Sequence, residues 1–407
     1  MKYLFHTVTL GQTGGARVIL NLAEILVERG HTVEIVVERN KVAYELPEGV
    51  TVRHLTVFGL KNIPKYLPSA KKVVKKNLKS VENKLKPKSR GMSVTFKWFK
   101  YILSLILQYP IKYLVIKKYL RRYKPDLIAS HNMYQDYEHF FFYKSHPKFY
   151  LVVHNSPKEV FCERLSLCLF PVSFYLNRVK TVSVSEDASA ELDSLFGRTL
   201  GERFTIYNPF DFEIIRSKGM AKLQDELPNN YFISVAALAP RKRLDRLILA
   251  LNEVQNNDIH LVLLGEGEEL SSLKELAVKL DLTDRVHFKG FCSNPFPVIK
   301  QSKALVMSSD SEGLPTVLIE SLIMGTPVIS TDCPTGPREI LIGDLRPYLV
   351  SMESEERIVS NLADRMTLIL NDAPTISNES LLRFSKGEIA KKWELLAGSG
   401  NVSSIGD

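Results

Sequence analysis

From end to end the chain alternates short apolar runs with amphipathic stretches, and this alternation limits its fold more than any other feature. Residues 2–9 read as a strand, and Gly14-Gly15 then opens a helix with Val18, Ile19, Leu22, Ile25 and Leu26 on one face. Strands follow at 32–37, 126–130, 150–153 and 181–184, each short, apolar and bounded by polar or turn residues. After Tyr207-Asn208-Pro209-Phe210-Asp211 a second array begins, with strands at 231–236, 260–264, 286–289, 304–307, 327–330 and 348–350. Helices at 244–254 and 269–280 lie between them. Strands separated by helices pair in parallel and need cover on both faces. The expected class is therefore α/β, with two Rossmann-like βα domains facing across a cleft. The boundaries read as 1–208 for the first domain and 209–380 for the second, with a C-terminal helix (381–396) and tail occupying 381–407.

Charge is distributed unevenly. The net charge is +9, yet residues 61–124 carry 19 Lys or Arg against one acid, Glu82, leaving 35 bases and 44 acids elsewhere. A mildly acidic body with one strongly basic segment implies a localised anionic partner. Within that segment, Val74, Leu78, Val81 and Leu85 form one stripe among seven lysines over residues 71–86, an interfacial amphipathic pattern. Phe96, Trp98, Phe99 and Tyr101 interleave with Lys97 and Lys100, as at headgroup depth. An anionic membrane surface is the expected partner. Residues 96–107 are too short to span a bilayer, which takes ~20 apolar residues. Residues 111–123 lead into a strand and read as a crossover helix, with an apolar stripe facing the core. Nucleic acid is not expected, because no recognised binding motif accompanies the basic run. The N-terminal apolar stretch, broken by His6 and two threonines, reads as a buried strand and not as a signal peptide. Cys162, Cys168, Cys292 and Cys333 form no C-x-x-C pair, which favours a reducing compartment and no structural zinc.

The most informative passage is Ser308-Ser309-Asp310-Ser311-Glu312-Gly313-Leu314-Pro315-Thr316-Val317-Leu318-Ile319-Glu320. It leaves the carboxyl end of a strand and opens a helix, which is where open α/β sheets bind ligands. Amides of Gly313, Leu314, Pro315 and Thr316 at the helix start suit phosphate or sugar oxygens. Glu312 and Glu320 suit the hydroxyls of a sugar or ribose. The bland alternative is a capped helix with solvated acids.

These residues also carry a resemblance. A Glu, seven residues, then a Glu, set in Ser-Glu-Gly-Leu-Pro and followed by Gly325-Thr326-Pro327-Val328-Ile329, resembles the signature of family 4 glycosyltransferases with the retaining GT-B fold. Gly14-Gly15-Ala16-Arg17, Asn21-Leu22-Ala23 and Gly30-His31-Thr32-Val33 are similar to that family's opening. Lys124-Pro125-Asp126-Leu127-Ile128, Ile206-Tyr207-Asn208-Pro209, Gly265-Glu266-Gly267, the run from Val286 to Phe291, and Phe384-Ser385 also fit, in order, across most of the chain.

The resemblance implies retaining transfer of a sugar from a nucleotide donor held on the second domain, with no cofactor beyond that co-substrate and no metal. Glu320 would hold the ribose, and Glu312 the donor sugar. Gly14, Gly15 and Gly265 would bring backbone close to the donor, with base and ribose near Phe291 and Cys292. Lys242, in Pro240-Arg241-Lys242-Arg243, matches the family's diphosphate-binding lysine, but the family's arginine five residues earlier is replaced here by Ala237. Either Arg241 or Arg243 supplies the missing charge, with Arg241 favoured. His154, just past a strand end, resembles the family's histidine that contacts donor sugar or acceptor; a strand-end histidine can equally be a structural residue. Cys333-Pro334-Thr335-Gly336-Pro337-Arg338-Glu339 is similar to members that use a UDP-hexose or UDP-N-acetylhexosamine. The expected partners are thus a nucleotide sugar and a lipid-linked or polysaccharide acceptor, and the expected place is the cytoplasmic face of the cytoplasmic membrane. A nucleotide-sugar epimerase on the same fold would release an isomerised sugar nucleotide without acceptor. A non-catalytic membrane- or polysaccharide-binding protein would bind donor without turnover.

Overall fold

The structure, a computed structural model, describes residues 1–11, 13–64, 94–131, 141–160, 179–197, 202–223 and 226–398, with side chains in the helix at 94–123 described from residue 108 onward. The amphipathic stretch expected at 71–86, the side chains of Phe96, Trp98, Phe99 and Tyr101, and Cys162 and Cys168 lie outside the described residues.

Apolar runs buried on both faces build two sheets, as parallel pairing requires. The first contains β1 (Lys2–Thr7), β2 (Thr32–Val37), β3 (Thr51–Thr56), β4 (Gly59–Asn62), β5 (Leu127–Ser130), β6 (Phe149–Val153), β7 (Lys180–Ser183) and β8 (Arg203–Thr205). Their order is β4-β3-β2-β1-β5-β6-β7-β8, and the β3–β4 pair is antiparallel. The second contains β9 (Tyr231–Val235), β10 (His260–Leu264), β11 (Val286–Gly290), β12 (Ala304–Met307), β13 (Val328–Thr331) and β14 (Leu349–Val350). Its order, β11-β10-β9-β12-β13-β14, is parallel throughout. The longer helices are α1 (Gly14–Glu28), α2 (Val94–Tyr123), α3 (Glu186–Phe196), α4 (Leu244–Glu253), α5 (Leu270–Lys279), α6 (Thr316–Ile323), α7 (Glu355–Asn371) and α8 (Lys386–Ala397). The chain divides into two compact units, one taking in Met1–Leu151 with residues 396–398, the other Val152–Leu395.

In α1 the expected face is the buried one: Val18, Ile19, Leu22, Ile25 and Leu26 are all inside. Thr13 caps it, its hydroxyl accepting from the Ala16 amide at 3.2 Å. Three features differ from the sequence expectation. The strands β3, β4 and β8 were not anticipated, because Thr51–Thr56 interleaves Arg53 and His54 with its apolar residues next to a short edge hairpin. The helix expected at 111–123 is the end of a 30-residue helix that runs through Pro110. Its apolar residues divide: Ile116 is buried, whereas Ile111 and Leu114 are exposed. The C-terminal helix expected at 381–396 is interrupted. Ser385 is extended (φ −65°, ψ 145°) and bridges to Phe210, so α8 begins only at Lys386. The cause is Phe384, which is fully buried with its ring edge-on to Tyr207 and Phe210. Among the described residues, no helix is long and apolar enough to cross a membrane.

Candidate active site

The chain order of the second sheet reverses between β9 and β12, so the loops leaving the carboxyl ends of these two strands open beside one another. The β9 loop carries Arg241 and Lys242 in a short 3-10 turn, and the β12 loop carries Ser308 to Pro315. The two are laced together. The Asp310 amide donates to Arg241 O at 2.9 Å, and the Ser308 hydroxyl reaches the carbonyls of Lys242 (3.1 Å) and Arg243 (2.8 Å). Arg246, only 2% exposed on α4, donates to Ser308 O at 3.0 Å and pairs with Asp310 (2.7 Å) and with Glu355 of α7 (2.6 Å). A buried guanidinium is tolerable here because two carboxylates and a carbonyl satisfy it.

Glu312 is buried at the centre of this construction. One carboxylate oxygen is met by Lys242 Nζ and by the Ser309 hydroxyl (2.7 Å), the other by Arg241 at 3.4 Å. Burial alone would raise its pKa. The charges of Lys242 and Arg241, with the bonds from Lys242 and Ser309, outweigh that and hold it below the ordinary carboxylate value. Glu312 is therefore an ionised, pre-positioned acceptor for hydroxyl or cationic groups. Its main chain is fixed as well, with the amide donating to Pro334 O (3.2 Å) and the carbonyl accepting from Thr335.

The next residue admits only glycine. A Cβ on Gly313 would lie 1.9 Å from the His154 carbonyl oxygen and 3.0 Å from Asn155 Cα. Its own carbonyl accepts from Ser185 at the start of α3 (2.9 Å). His154 thus touches the site through its backbone, while desolvation lowers its imidazole pKa to about 4, leaving the ring neutral near pH 7. Leu314 is buried, Pro315 caps α6, and Thr316 begins that helix. Pro315 has no N–H, so the amide donors of this turn reduce to Gly313, Leu314 and Thr316. Glu320 lies one turn into α6 and is half-buried.

Arg241 and Arg243 separate cleanly. Arg243, in a left-handed conformation at φ 47°, pairs with Asp245 (2.9 Å), Glu355 (2.8 Å) and, at 3.7 Å, Asp310. Arg241 donates to Ser311 O at 2.7 Å and stands beside Glu312. The favoured candidate for the missing charge is the one that stands at Glu312.

Gly265 is a tether. Its amide donates to Gly290 O (2.8 Å), and a Cβ on it would lie 1.8 Å from Ala236 O. It holds the β10 loop against the β9 loop, so its N–H is already engaged. Phe291, directly after β11, is 61% exposed, and Cys292 beside it is half-buried with a free thiol. Gly14 and Gly15 form the first turn of α1 in the other unit, with open space where a Cβ would stand. Sequence reasoning missed Glu159. This buried carboxylate accepts from the Ser311 hydroxyl (2.7 Å) and lies 3.9 Å from Arg241. Ser156-x-x-Glu159 is a capping-box pattern, a signal that points to helix geometry and not to a site.

With this geometry in hand, the relatives are informative. A family profile described as glycosyl transferases group 1 matches residues 216–386. An uncharacterized glycosyltransferase of Methanocaldococcus jannaschii is 30% identical over 337 residues, covering 69% of this chain and 81% of that one. The N-acetylgalactosamine-N,N'-diacetylbacillosaminyl-diphospho-undecaprenol 4-alpha-N-acetylgalactosaminyltransferase of Campylobacter jejuni is 32% identical over 157 residues, 39% of this chain and 42% of that one. Among solved structures, Anabaena HepE in complex with UDP and glucose superposes with a TM-score of 0.69 at 16% identity, over 97% of this chain and 98% of that one. A sucrose-phosphate synthase from Thermosynechococcus elongatus gives 0.71 at 17%, with 97% and 98% covered. Two parallel-sheet α/β domains, the paired loops at the second sheet's reversal point and a relative aligned over most of its length lead to one assignment: the chain belongs to the group 1 glycosyltransferases, with a GT-B fold.

Proposed function

We propose that the protein is a retaining hexosyl- or N-acetylhexosaminyltransferase that takes its sugar from a UDP donor and passes it to a membrane-associated glycan acceptor in surface polysaccharide or lipopolysaccharide-type biosynthesis. The observation that carries this reading is the Lys242–Glu312–Arg241 cluster at the reversal point of the second sheet. Lys242 and Arg241 would meet the charge that develops on the leaving diphosphate, in place of a metal ion. Glu312 would accept from the donor sugar's hydroxyls, Glu320 from the ribose, and exposed Phe291 would offer the base an aromatic face. Neutral His154 would contact donor sugar or acceptor. In the retaining course the acceptor attacks from the side of the leaving diphosphate, whose oxygen takes the acceptor's proton. HepE, solved with UDP and glucose, and the Campylobacter relative, named for a diphospho-undecaprenol-linked acceptor, support the donor and acceptor classes.

The test is a thermal-shift screen across nucleotide sugars, because a ligand at a hundred times its Kd stabilises by about 2.7 kcal/mol. A UDP-sugar should raise the melting temperature more than its ADP or GDP counterpart; equal or absent shifts would remove the donor assignment.

The two arginines give a second check. Arg241→Ala should lower kcat/KM for the donor by about 10–100-fold, since a charge-assisted contact to phosphate is lost. Arg243→Ala should stay within about threefold, because its partners are Asp245, Glu355 and Asp310 and not Glu312. Steady-state kinetics with both variants decides between them.

Peripheral attachment to the inner face of the cytoplasmic membrane completes the proposal. Exposed Ile111 and Leu114 on α2 precede exposed Lys118, Arg121 and Arg122 on the same helix, and the basic run of the sequence lies immediately upstream. Apolar residues followed by cations suit an anionic interface, at ~1 kcal/mol per base near the surface. The protein should float with vesicles containing anionic lipid and release in high salt; equal partitioning onto neutral vesicles at low salt would count against it.

A further inference from the structure

The β12 loop treats two carboxylates alike. The Ser309 hydroxyl donates to Glu312 at 2.7 Å, and the Ser311 hydroxyl donates to Glu159 at 2.7 Å. Both acids are buried, and they flank one guanidinium: Arg241 stands 3.4 Å from Glu312 and 3.9 Å from Glu159. With Lys242 on the far side of Glu312, the charges alternate along the row Glu159, Arg241, Glu312, Lys242, and these four sum to zero. The family resemblance gives Glu312 a role and leaves Glu159 none.

We propose that Glu159 is a positioning residue that holds Arg241 in place of the donor's diphosphate and yields it when the diphosphate arrives, so that it limits how tightly the nucleoside diphosphate product is retained. The inference rests on reading this cluster as the donor site. Its physical content is a charge exchange. An anionic diphosphate entering a row of zero net charge gains attraction only as Arg241 and Lys242 turn from carboxylate to phosphate. Glu159 competes for Arg241 and repels the incoming anion. Removing its charge while keeping its shape leaves the four-residue row at +1 and must favour the anion. A carboxylate that merely braced Arg241 would act in the opposite sense, since its loss would free the guanidinium and weaken anion binding.

Calorimetric titration of UDP into the protein separates the two. Glu159→Gln should bind UDP about tenfold more tightly than the unsubstituted protein at low ionic strength, with the gap closing in high salt. Glu159→Asp, which keeps the charge, should stay within about twofold. Should the glutamine variant melt early, the Glu159→Asp and Glu159→Asn pair carries the same charge difference in a shorter side chain and should show the same sign. Unchanged or weaker UDP binding by the uncharged variants, while the unsubstituted protein binds UDP, overturns the proposal alone. Failure of the unsubstituted protein to bind any nucleoside diphosphate removes the donor-site reading and the proposal with it.

Discussion

Lys242→Ala should lower kcat/KM by about a hundredfold or more, the scale on which a preorganised charge facing a developing anion acts. The expectation comes from geometry: Lys242 sits on the β9 loop with its ammonium against Glu312, beside Arg241 and at the mouth of the switch between β9 and β12. The same substitution withdraws the main counter-charge of a buried carboxylate, so stability should fall too. The two effects can be told apart. Glu312→Gln added to Lys242→Ala removes the unpaired charge and should restore much of the melting temperature, while kcat/KM stays well below that of Glu312→Gln alone. If the double variant is as active as Glu312→Gln alone, Lys242 is a structural counter-ion and no part of the chemistry. An unchanged rate in Lys242→Ala would remove it from the mechanism outright.

Gly313→Ala should be nearly as damaging, through position and not charge. Its methyl would need the space of the His154 carbonyl, 1.9 Å away, and the obstruction is backbone that cannot swing aside. Either the β12 loop or the segment after β6 must move by about an ångström, and displacements of that size in a catalytic constellation cost on the order of 10² in rate. Strain of this kind costs roughly 1–3 kcal/mol in stability. Gly387→Ala on α8, where the new methyl meets nothing within 4 Å among the described residues beyond its own helix, is the control: neutral, or stabilising by up to about 1 kcal/mol. Kinetics with thermal melts of both variants checks the pair, and wild-type turnover in Gly313→Ala would show that the loop has room to relax.

How far the sequence alone could be read follows from what each element is buried against. The strands at 32–37, 260–264 and 304–307 match the observed β2, β10 and β12 to the residue. Strands covered on both faces are continuous apolar runs with polar ends. The edge strand β4 and its neighbour β3 stay partly exposed and carry Arg53, His54 and Lys61, so their pattern dissolves into that of a loop. The break at Ser385 was hidden for another reason. The helical period continues across it, and only the distant Tyr207 and Phe210, which enclose Phe384, impose the extended residue. The site divides in the same way. Lys242 and Glu312 were legible because both stand where a strand hands over to a helix, the position at which an open sheet binds ligands. Glu159 was not, because its partners Ser311 and Arg241 are 152 and 82 residues away and nothing local marks it. Which carboxylates Arg241 and Arg243 meet was also hidden, since two positions of one turn look alike in sequence.

The lacing of the two loops has a consequence for anyone wishing to change which sugar is transferred. Ser308, Asp310 and Arg246 knit the β9 and β12 loops to each other and to α7, and none of them needs to touch a donor to matter. A library that randomises 308–312 wholesale would mostly sample collapsed loops. Holding the three knitting residues constant, together with Pro334 and Thr335, which fix the main chain of Glu312, would keep the frame intact while other positions vary.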